Sequence, residues 1–203
     1  MDDMTYLGID IGSLSCDAVL VDDSGNVLAT TVVPTGARNQ EAIERATREV
    51  LAQAKVAREA VRAVISTGYG RNRVEDRMAS VTEITCHARG IYALNQDVQL
   101  LIDIGGQDSK TIRLDKDGQV VDFAMNDKCA AGTGRFLEAM ARALQVDIEV
   151  LGRLDHDAQK DLTLSSMCTV FAESEVVSLI AEGIEVKEIA RGLNRAIASR
   201  IYA

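Results

Sequence analysis

The feature that most constrains the fold of this chain is an internal duplication at an offset of 93 residues. Without any gap, this shift places "IDIGSLSCDAVLVDDSGNV" (9–27) over "IDIGGQDSKTIRLDKDGQV" (102–120). Both segments begin with Ile-Asp-Ile-Gly, and they also share a later Asp, Gly and Val. Agreement at one fixed offset indicates two halves of related architecture.

Each copy predicts a β-hairpin, because a short apolar strand ends in an acidic residue and a glycine turn, and an alternating strand follows. Further strands and helices follow both hairpins. Apolar spacing predicts one more strand at 63–67 and helices near 40–57, 83–94, 133–145, 169–182 and 186–200. We therefore predict an α/β fold with mixed sheets flanked by helices, in two domains covering residues 1–97 and 98–203.

Composition excludes several classes of function. The chain has 203 residues, is 47% hydrophobic and carries a formal charge of −9, which argues against a general nucleic-acid binder. The acidic start "MDDMTYLGID" is unlike a secretory signal, and no apolar run is long enough to span a bilayer. We expect a soluble, cytoplasmic protein. Its four separated cysteines lack a CxxC pair, so each is expected to be free or metal-bound in a reducing compartment.

The two duplicated turns have the chemistry of a nucleotide site. Glycine after a buried strand allows backbone N–H groups to approach an anion closely. Asp10 and Asp103, at the two strand ends, can hold Mg²⁺ directly or through water. A pair of such turns facing each other would bind a triphosphate between the domains. The alternative is two tight hairpins without a ligand. Neither turn matches the Walker A or dinucleotide fingerprint.

The paired turns resemble the phosphate elements of the actin, sugar-kinase and heat-shock ATPase superfamily, whose domains have a ribonuclease H-like fold. Within it the chain is similar to the BadF/BadG/BcrA/BcrD-type ATPases, which include activators (component A) of 2-hydroxyacyl-CoA dehydratases. The motifs that carry this resemblance are "YLGIDIGSLS" (6–15), "STGYGRN" (66–72), "EITCHARG" (83–90), "LIDIGGQDSK" (101–110), "MNDKCAAGTGRFLE" (125–138) and "CTVFAESEVVSL" (168–179).

The resemblance implies roles for individual residues. Asp10 and Asp103 are expected near Mg²⁺, and Gln107 or Asp108 to orient the attacking water. The expected phosphate and nucleotide contacts come from Gly12, Ser13, Ser15, Gly105, Gly106, Gly132, Thr133 and Gly134. The "AGTG" turn (131–134) is expected to link nucleotide to a metal cluster.

Cys129 and Cys168 are implied to be ligands of a [4Fe–4S] cluster. Two cysteines cannot fill a four-cysteine site, so the cluster would lie on the two-fold axis of a homodimer. Both cysteines precede helix starts, where partial positive charge favours thiolates. Each alone is more often a buried small hydrophobe, which is our expectation for Cys86. A nucleophilic role for Cys129 is less supported, because no base is indicated beside it.

The implied function is ATP-driven transfer of single electrons. Ferredoxin or flavodoxin would reduce the cluster, and ATP hydrolysis would then deliver one electron to a 2-hydroxyacyl-CoA dehydratase or related acyl-CoA reductase. The motifs do not specify which acceptor is used. The alternatives are a sugar or N-acetylhexosamine kinase of the same superfamily, with structural cysteines, and a degenerate nucleotide-sensing scaffold.

Three departures from the family pattern bear on this interpretation. Cys16 stands where a hydroxyl residue is common, and a thiol is a weak donor to phosphate. Asp17 stands where some relatives have Lys, and we expect its side chain to point outward on the alternating strand. The chain also ends at "NRAIASRIYA", before the family's further strand, Gly-Gly turn for adenosine and closing helices. We therefore expect a second domain that is incomplete at its C-terminus.

Overall fold

The computed structural model describes residues 4–127, 129–165 and 168–202. Within these ranges both halves begin with three strands followed by an α-helix, as the duplication predicts. The strands are β1 (Thr5–Ile11), β2 (Ser15–Asp22), β3 (Val27–Pro34), β4 (Val61–Thr67), β5 (Ala79–Ser80), β6 (Leu100–Ile104), β7 (Ser109–Leu114) and β8 (Val120–Asn126). The α-helices are α1 (Asn39–Ala54), α2 (Glu83–Leu94), α3 (Gly134–Ala143), α4 (Leu151–Asp157), α5 (Thr169–Ala181) and α6 (Val186–Tyr202).

The first sheet is mixed, with the strand order β3-β2-β1-β4-β5. Strands β1, β2 and β3 form an antiparallel meander, and α1 leads into β4, which pairs parallel to β1. Alternate residues of β1, including Leu7 and Ile9, are buried on one face of the sheet. The apolar side of α1, with Ala46 and Val50, belongs to the same core. Burial of this alternating pattern fixes the strand register, since a slip by one residue would expose every core side chain.

The second sheet has the order β6-β7-β8 within the described residues, with β6 antiparallel to β7. Helices α3, α5 and α6 share a separate core, in which Phe136, Met140, Val176, Ile189 and Leu193 are fully buried. Their spacing of three or four residues places them on one side of each helix. No helix in the described part of the chain is long and apolar enough to cross a membrane.

Hydrogen bonding shows that the two duplicated hairpins fold alike. The N–H of Gly12 donates to the carbonyl of Ser15 over 2.9 Å, and Gly105 donates to Asp108 over the same distance. These two pairs are related by the 93-residue offset. The next turns also correspond, because the Asp22 and Asp115 carboxylates each accept two backbone N–H groups from the turn that follows. The predicted duplication therefore extends to individual hydrogen bonds.

The described chain divides into two compact units. The first contains the chain up to Gln99 together with Leu114–Val121, and the second contains Leu100–Arg113 and the chain from Asp122 onward. The turn between β7 and β8 belongs to the first unit because Tyr92 of α2 packs against it. The Tyr92 hydroxyl donates to the carbonyl of Lys116 over 3.2 Å.

One predicted helix ends at a different residue, and one helix of the structure was not predicted. Helix α1 ends at Ala54 rather than near 57, because Lys55 adopts a left-handed conformation with φ of 57° and its N–H caps the carbonyl of Ala52. Helix α4 was not predicted. It has only seven residues, too few for a periodic signal, and Arg191 and Asn194 of α6 anchor it through its Asp155 carboxylate.

The duplicated turns supply a matched pair of glycine substitutions. Gly25 and Gly118 both have positive φ, 83° and 71°, so alanine at either position is strained by about 1–2 kcal/mol. A methyl group at Gly25 would meet open space, whereas at Gly118 it would overlap the ring of Tyr92. We expect Gly118→Ala to cost about 1–3 kcal/mol more than Gly25→Ala in the free energy of unfolding, measured by urea denaturation. Equal costs would contradict the packing of Tyr92 on this turn.

Cys16 predicts a pH dependence of stability. Its thiol is fully buried, and burial, then the charges of Asp17 and Asp10, raise its pKa from 9.0 to about 12. The folded protein retains this proton between pH 9 and 12 and the unfolded chain releases it, so the contribution of Cys16 is complete below pH 9 and is lost as the pH rises to 12.

The measurement is urea denaturation of wild type and Cys16→Ala between pH 8 and 11. We expect the stability advantage of the wild type over the variant to fall by roughly 2–3 kcal/mol, because a range ending at pH 11 covers about two of the three pH units between the unfolded and folded pKa values. Other groups titrate equally in both proteins, so the difference isolates the thiol. A constant difference over this range would show that Cys16 does not titrate differently on folding.

Candidate functional site

The first phosphate turn follows β1 and is closed by its own backbone. Asp10 is half-buried at the end of the strand, and the Gly12 N–H is already bonded to Ser15, so Gly12 shapes the turn. Thr35, the residue after β3, holds the turn in place, since its hydroxyl donates to the carbonyl of Gly12 over 3.0 Å. A side chain at Gly12 would lie 3.0 Å from the Ser15 carbonyl, which explains the requirement for glycine at this position.

A polar cavity of about 300 Å³ lies beside this turn. Gly12 and Ser13 line it together with residues that sequence reasoning did not assign to the site: Thr35, Gly36, Asn39, Tyr69, Gly70, Asn72 and Arg73. Most of the missed residues come from "STGYGRN" (66–72) and its successor. That motif was therefore the feature of the sequence from which these site residues could have been predicted. A polar cavity with an arginine and glycine backbone suits an anionic ligand.

Gly68 and Gly70 bring this motif against the first turn. The Gly70 N–H donates to the carbonyl of Ile11 over 2.9 Å. A side chain at Gly68, whose φ is 82°, would overlap the Asp10 carboxylate and the Ile11 backbone. The close approach therefore depends on both glycines lacking a Cβ.

The expected outward orientation of Asp17 is wrong. In the antiparallel register Asp17 is directly opposite Asp10, and side chains of directly opposed residues share one face of a sheet. One oxygen of the Asp17 carboxylate is buried without a hydrogen-bond partner, and the other accepts from the Ser15 hydroxyl over 3.3 Å. Burial raises the pKa of Asp17, and the Ser15 hydrogen bond partly opposes that shift.

The expectation that Cys16 would replace a donor to phosphate is also not met. Its side chain is fully buried in the core of the first sheet, on the face opposite to Asp17. The strand alternation that brings Asp17 beside Asp10 necessarily turns Cys16 away. Cys86 is only partly buried rather than a core residue, and it lines an apolar cavity of about 350 Å³ with Asp10 and Asp17.

The second phosphate turn contains a buried charge network. The ammonium of Lys110 lies 2.8 Å from the Asp108 carboxylate and 3.3 Å from that of Asp103. Burial lowers the pKa of Lys110, but the hydrogen bonds and charges of Asp108 and Asp103 outweigh it, so the net shift is upward. Sequence reasoning did not assign Lys110 to the site, although Lys110 lies within the phosphate-turn motif "DIGGQDSK" (103–110).

This network bears on the two residues predicted to orient water. Asp108 is 3% exposed, and its carboxylate is held by Lys110 and lies where a Cβ on Gly105 would be placed. In this conformation Asp108 stabilises the turn and is shielded from solvent. Gln107 is exposed at the tip of the same turn, so of the two it is the better placed to meet a water molecule.

The "AGTG" turn contacts the second phosphate turn directly. The N–H of Gly134 donates to the carbonyl of Gly105 over 2.9 Å, and that of Arg135 donates to Gly106 over 3.0 Å. Gly132 adopts a positive φ of 82°, which glycine tolerates at no cost. Thr133 is fully buried, and its hydroxyl donates to Ala130 over 2.6 Å. Thr133 therefore shapes the start of α3 in this structure.

Cys129 lies in the loop before α3, and Cys168 lies at the start of α5, which packs against α3. Cys129 is partly exposed between β8 and α3, and its carbonyl accepts from the Asn126 side chain over 3.3 Å. Cys168 is exposed and is the N-terminal cap of α5, whose Ala172 packs in the same core as Phe136 of α3. Among the described residues no three His, Cys, Asp or Glu side chains form a metal-binding group.

The chemistry of these two thiols fits an iron–sulfur cluster that is shared between chains. Both are free thiols that solvent can reach, whereas Cys16 is a free thiol that is buried. Thiolates are the usual protein ligands of such clusters. A single chain supplies half of a four-cysteine set. A cluster held by four cysteines would need the other two from another molecule.

Comparison with known proteins identifies close relatives. The chain is 44% identical over 197 residues to the activator of lactoyl-CoA dehydratase from Anaerotignum propionicum, covering 97% of this chain and 76% of that protein. It is 38% identical over 198 residues to the 2-hydroxyisocaproyl-CoA dehydratase activator of Clostridioides difficile, covering 98% and 74%.

A solved structure has the same fold. The crystal structure of component A of (R)-2-hydroxyglutaryl-CoA dehydratase from Acidaminococcus fermentans superposes with a TM-score of 0.93 at 40% identity, over 98% of this chain and 76% of that one. The duplicated hairpins and flanking helices are thus those of an actin-like ATPase fold. The model of the BadF/BadG/BcrA/BcrD ATPase family matches residues 7–203, and the chain belongs to that family.

Proposed function

We propose that this chain is an ATPase that delivers single electrons to a 2-hydroxyacyl-CoA dehydratase or a related acyl-CoA reductase. The observation that carries the proposal is the pair of backbone hydrogen bonds from Gly134 and Arg135 to Gly105 and Gly106. They join the second phosphate turn to the helix that begins five residues after Cys129. A change in that turn on nucleotide binding would therefore be transmitted to the thiol through rigid backbone.

The relatives support nucleotide binding. The activator of 2-hydroxyisocaproyl-CoA dehydratase from Clostridium difficile has been solved with bound ADPNP, and it superposes with a TM-score of 0.92 at 38% identity, covering 98% of this chain and 74% of that one. In this chain the phosphates would be contacted by the turns after β1 and β6. Asp10 and Asp103 would lie near Mg²⁺, which favours carboxylates and phosphate oxygens. Exposed Gln107 would orient the attacking water.

Cys129 and Cys168, with the same two residues of a second copy, would hold a [4Fe–4S] cluster that supplies the one-electron carrier. The surface around Cys168 supports a dimer. Val170 and Phe171 follow Thr169 in the first turn of α5 and are 68% and 67% exposed. Large apolar side chains at such exposure are typical of an interaction surface. A ferredoxin or flavodoxin is the proposed electron donor.

For nucleotide to drive transfer, it must bind the electron-delivering conformation more tightly than the resting one. The chain's own contribution is mechanical. The turn after β6 positions the phosphates. The first turn of α3 moves with that turn because it is hydrogen-bonded to it, and the α3–α5 core transmits the movement to the region of both cysteines. The sugar-kinase alternative assigns no role to two accessible thiols at helix starts, and membership of the BadF/BadG/BcrA/BcrD family favours the activator.

Iron content tests the cluster. After anaerobic purification we expect about four irons per dimer, as one shared Cys₄ cluster requires. Cys129→Ser and Cys168→Ser should each reduce iron to a small fraction, because a hydroxyl is a poor replacement for a thiolate. Cys86→Ser is the matched control, since Cys86 is a partly buried cysteine outside the proposed ligand set. Unchanged iron in the Cys129 variant would refute the cluster assignment.

Gly134→Ala tests the coupling. The added methyl would lie 3.3 Å from the Gly105 carbonyl and 3.4 Å from the Gly106 Cα, so the two turns must separate slightly. We expect the variant to retain iron, while the ATP-induced change in the rate of iron removal by a chelator falls at least about fivefold. That rate reports cluster accessibility, and a weakened joint transmits less of the differential binding energy.

The matched control is Gly152→Ala, because a methyl there meets open space on α4 of the same unit. It should behave like the wild type. A Gly134→Ala protein with the full ATP response would show that the backbone joint does not carry the coupling.

A further inference from the structure

Lys110 is a buried basic side chain on β7, next to the second phosphate turn. Its side chain is 4% exposed, and it lies opposite Asp103 in the β6–β7 register. Its ammonium contacts two carboxylates, those of Asp108 at 2.8 Å and Asp103 at 3.3 Å. Burying such a charge is unfavourable unless it is well paired, so a chain that needed only a hairpin here would gain little from lysine.

The duplication shows that the hairpin does not require this lysine. Lys110 corresponds to Asp17 at the 93-residue offset, and the Asp10–Asp17 pair occupies the same register position as the Asp103–Lys110 pair. Both turns nevertheless close with the same 2.9 Å hydrogen bond. The lysine is therefore specific to the second turn, where it offsets one of two acidic charges.

We propose that Lys110 is a positioning residue of the nucleotide site, and this inference rests on the proposed ATPase function. Through its ammonium it fixes the direction of the Asp103 carboxylate and holds Asp108 folded over Gly105. It also halves the net negative charge of the turn that receives the phosphates. Without it, two carboxylates would repel an incoming nucleotide unless a divalent cation screened them.

This role predicts a specific change in how nucleotide affinity depends on Mg²⁺. A lysine that only filled space would affect stability alone. A lysine that offsets the charge of Asp103 makes nucleotide binding less dependent on Mg²⁺. The informative quantity is the ratio of the dissociation constants of a fluorescent mant derivative of ADPNP, measured in EDTA and in saturating Mg²⁺.

The main variant is Lys110→Gln, which removes the cation and leaves the carboxylates of Asp103 and Asp108 without it. We expect the ratio in this protein to rise about tenfold above wild type. Lys110→Arg retains the charge and should keep the ratio within about twofold. Lys116→Met, an exposed lysine in the following turn, is the control and should match the wild type.

The outcomes separate the two levels of the proposal. A wild-type chain that does not bind the analogue in Mg²⁺ would overturn the proposed function itself. Binding by the wild type with an unchanged ratio in Lys110→Gln, or with Lys110→Arg as defective as Lys110→Gln, would overturn the role of Lys110 alone. Circular dichroism confirms folding. If Lys110→Gln does not fold, Asp108→Asn replaces it in the same assay, because this change removes one negative charge and the ratio should then fall below that of the wild type.

Discussion

Two backbone hydrogen bonds, from Gly134 and Arg135 to the carbonyls of Gly105 and Gly106, are the contact on which the second unit depends. They require backbones to approach more closely than side chains would allow, which explains the glycines on both sides. They also occupy N–H groups in the first turn of α3, where an intrahelical partner is lacking. The same contact therefore caps a helix and binds it to the turn that carries Asp103 and Lys110.

The hairpins at the centre of both units were predictable because their information is local. An apolar strand, an acidic end and a glycine turn repeat at one offset, and each residue's preference agrees with the final fold. Helix α6 was predictable for the same reason, since its buried apolar residues recur every three or four positions. Helix α4 was not, because Asp155 is fixed by Arg191 and Asn194, about forty positions away.

The candidate site was less visible in the sequence than the fold. The direction of Asp17 depends on which strand position faces Asp10, and one residue of register reverses it. Lys110 and Thr133 look like surface residues in a polar motif, yet both are buried by the contacts of their own turns. The residues around the polar cavity come from three separate segments, and only a folded chain shows that Asn39 and Arg73 share it.

The burial of the cysteines has a consequence for handling the protein in air. Oxidants attack thiolates that solvent can reach, and a thiol held protonated in a core reacts slowly. Cys16 is shielded from solvent, and Cys168 is exposed at the N-terminal end of α5. Oxidative damage would then fall first on a proposed cluster ligand and leave the core of the first sheet intact. A sample exposed to oxygen would then lose the proposed redox role before the core of the first sheet is affected.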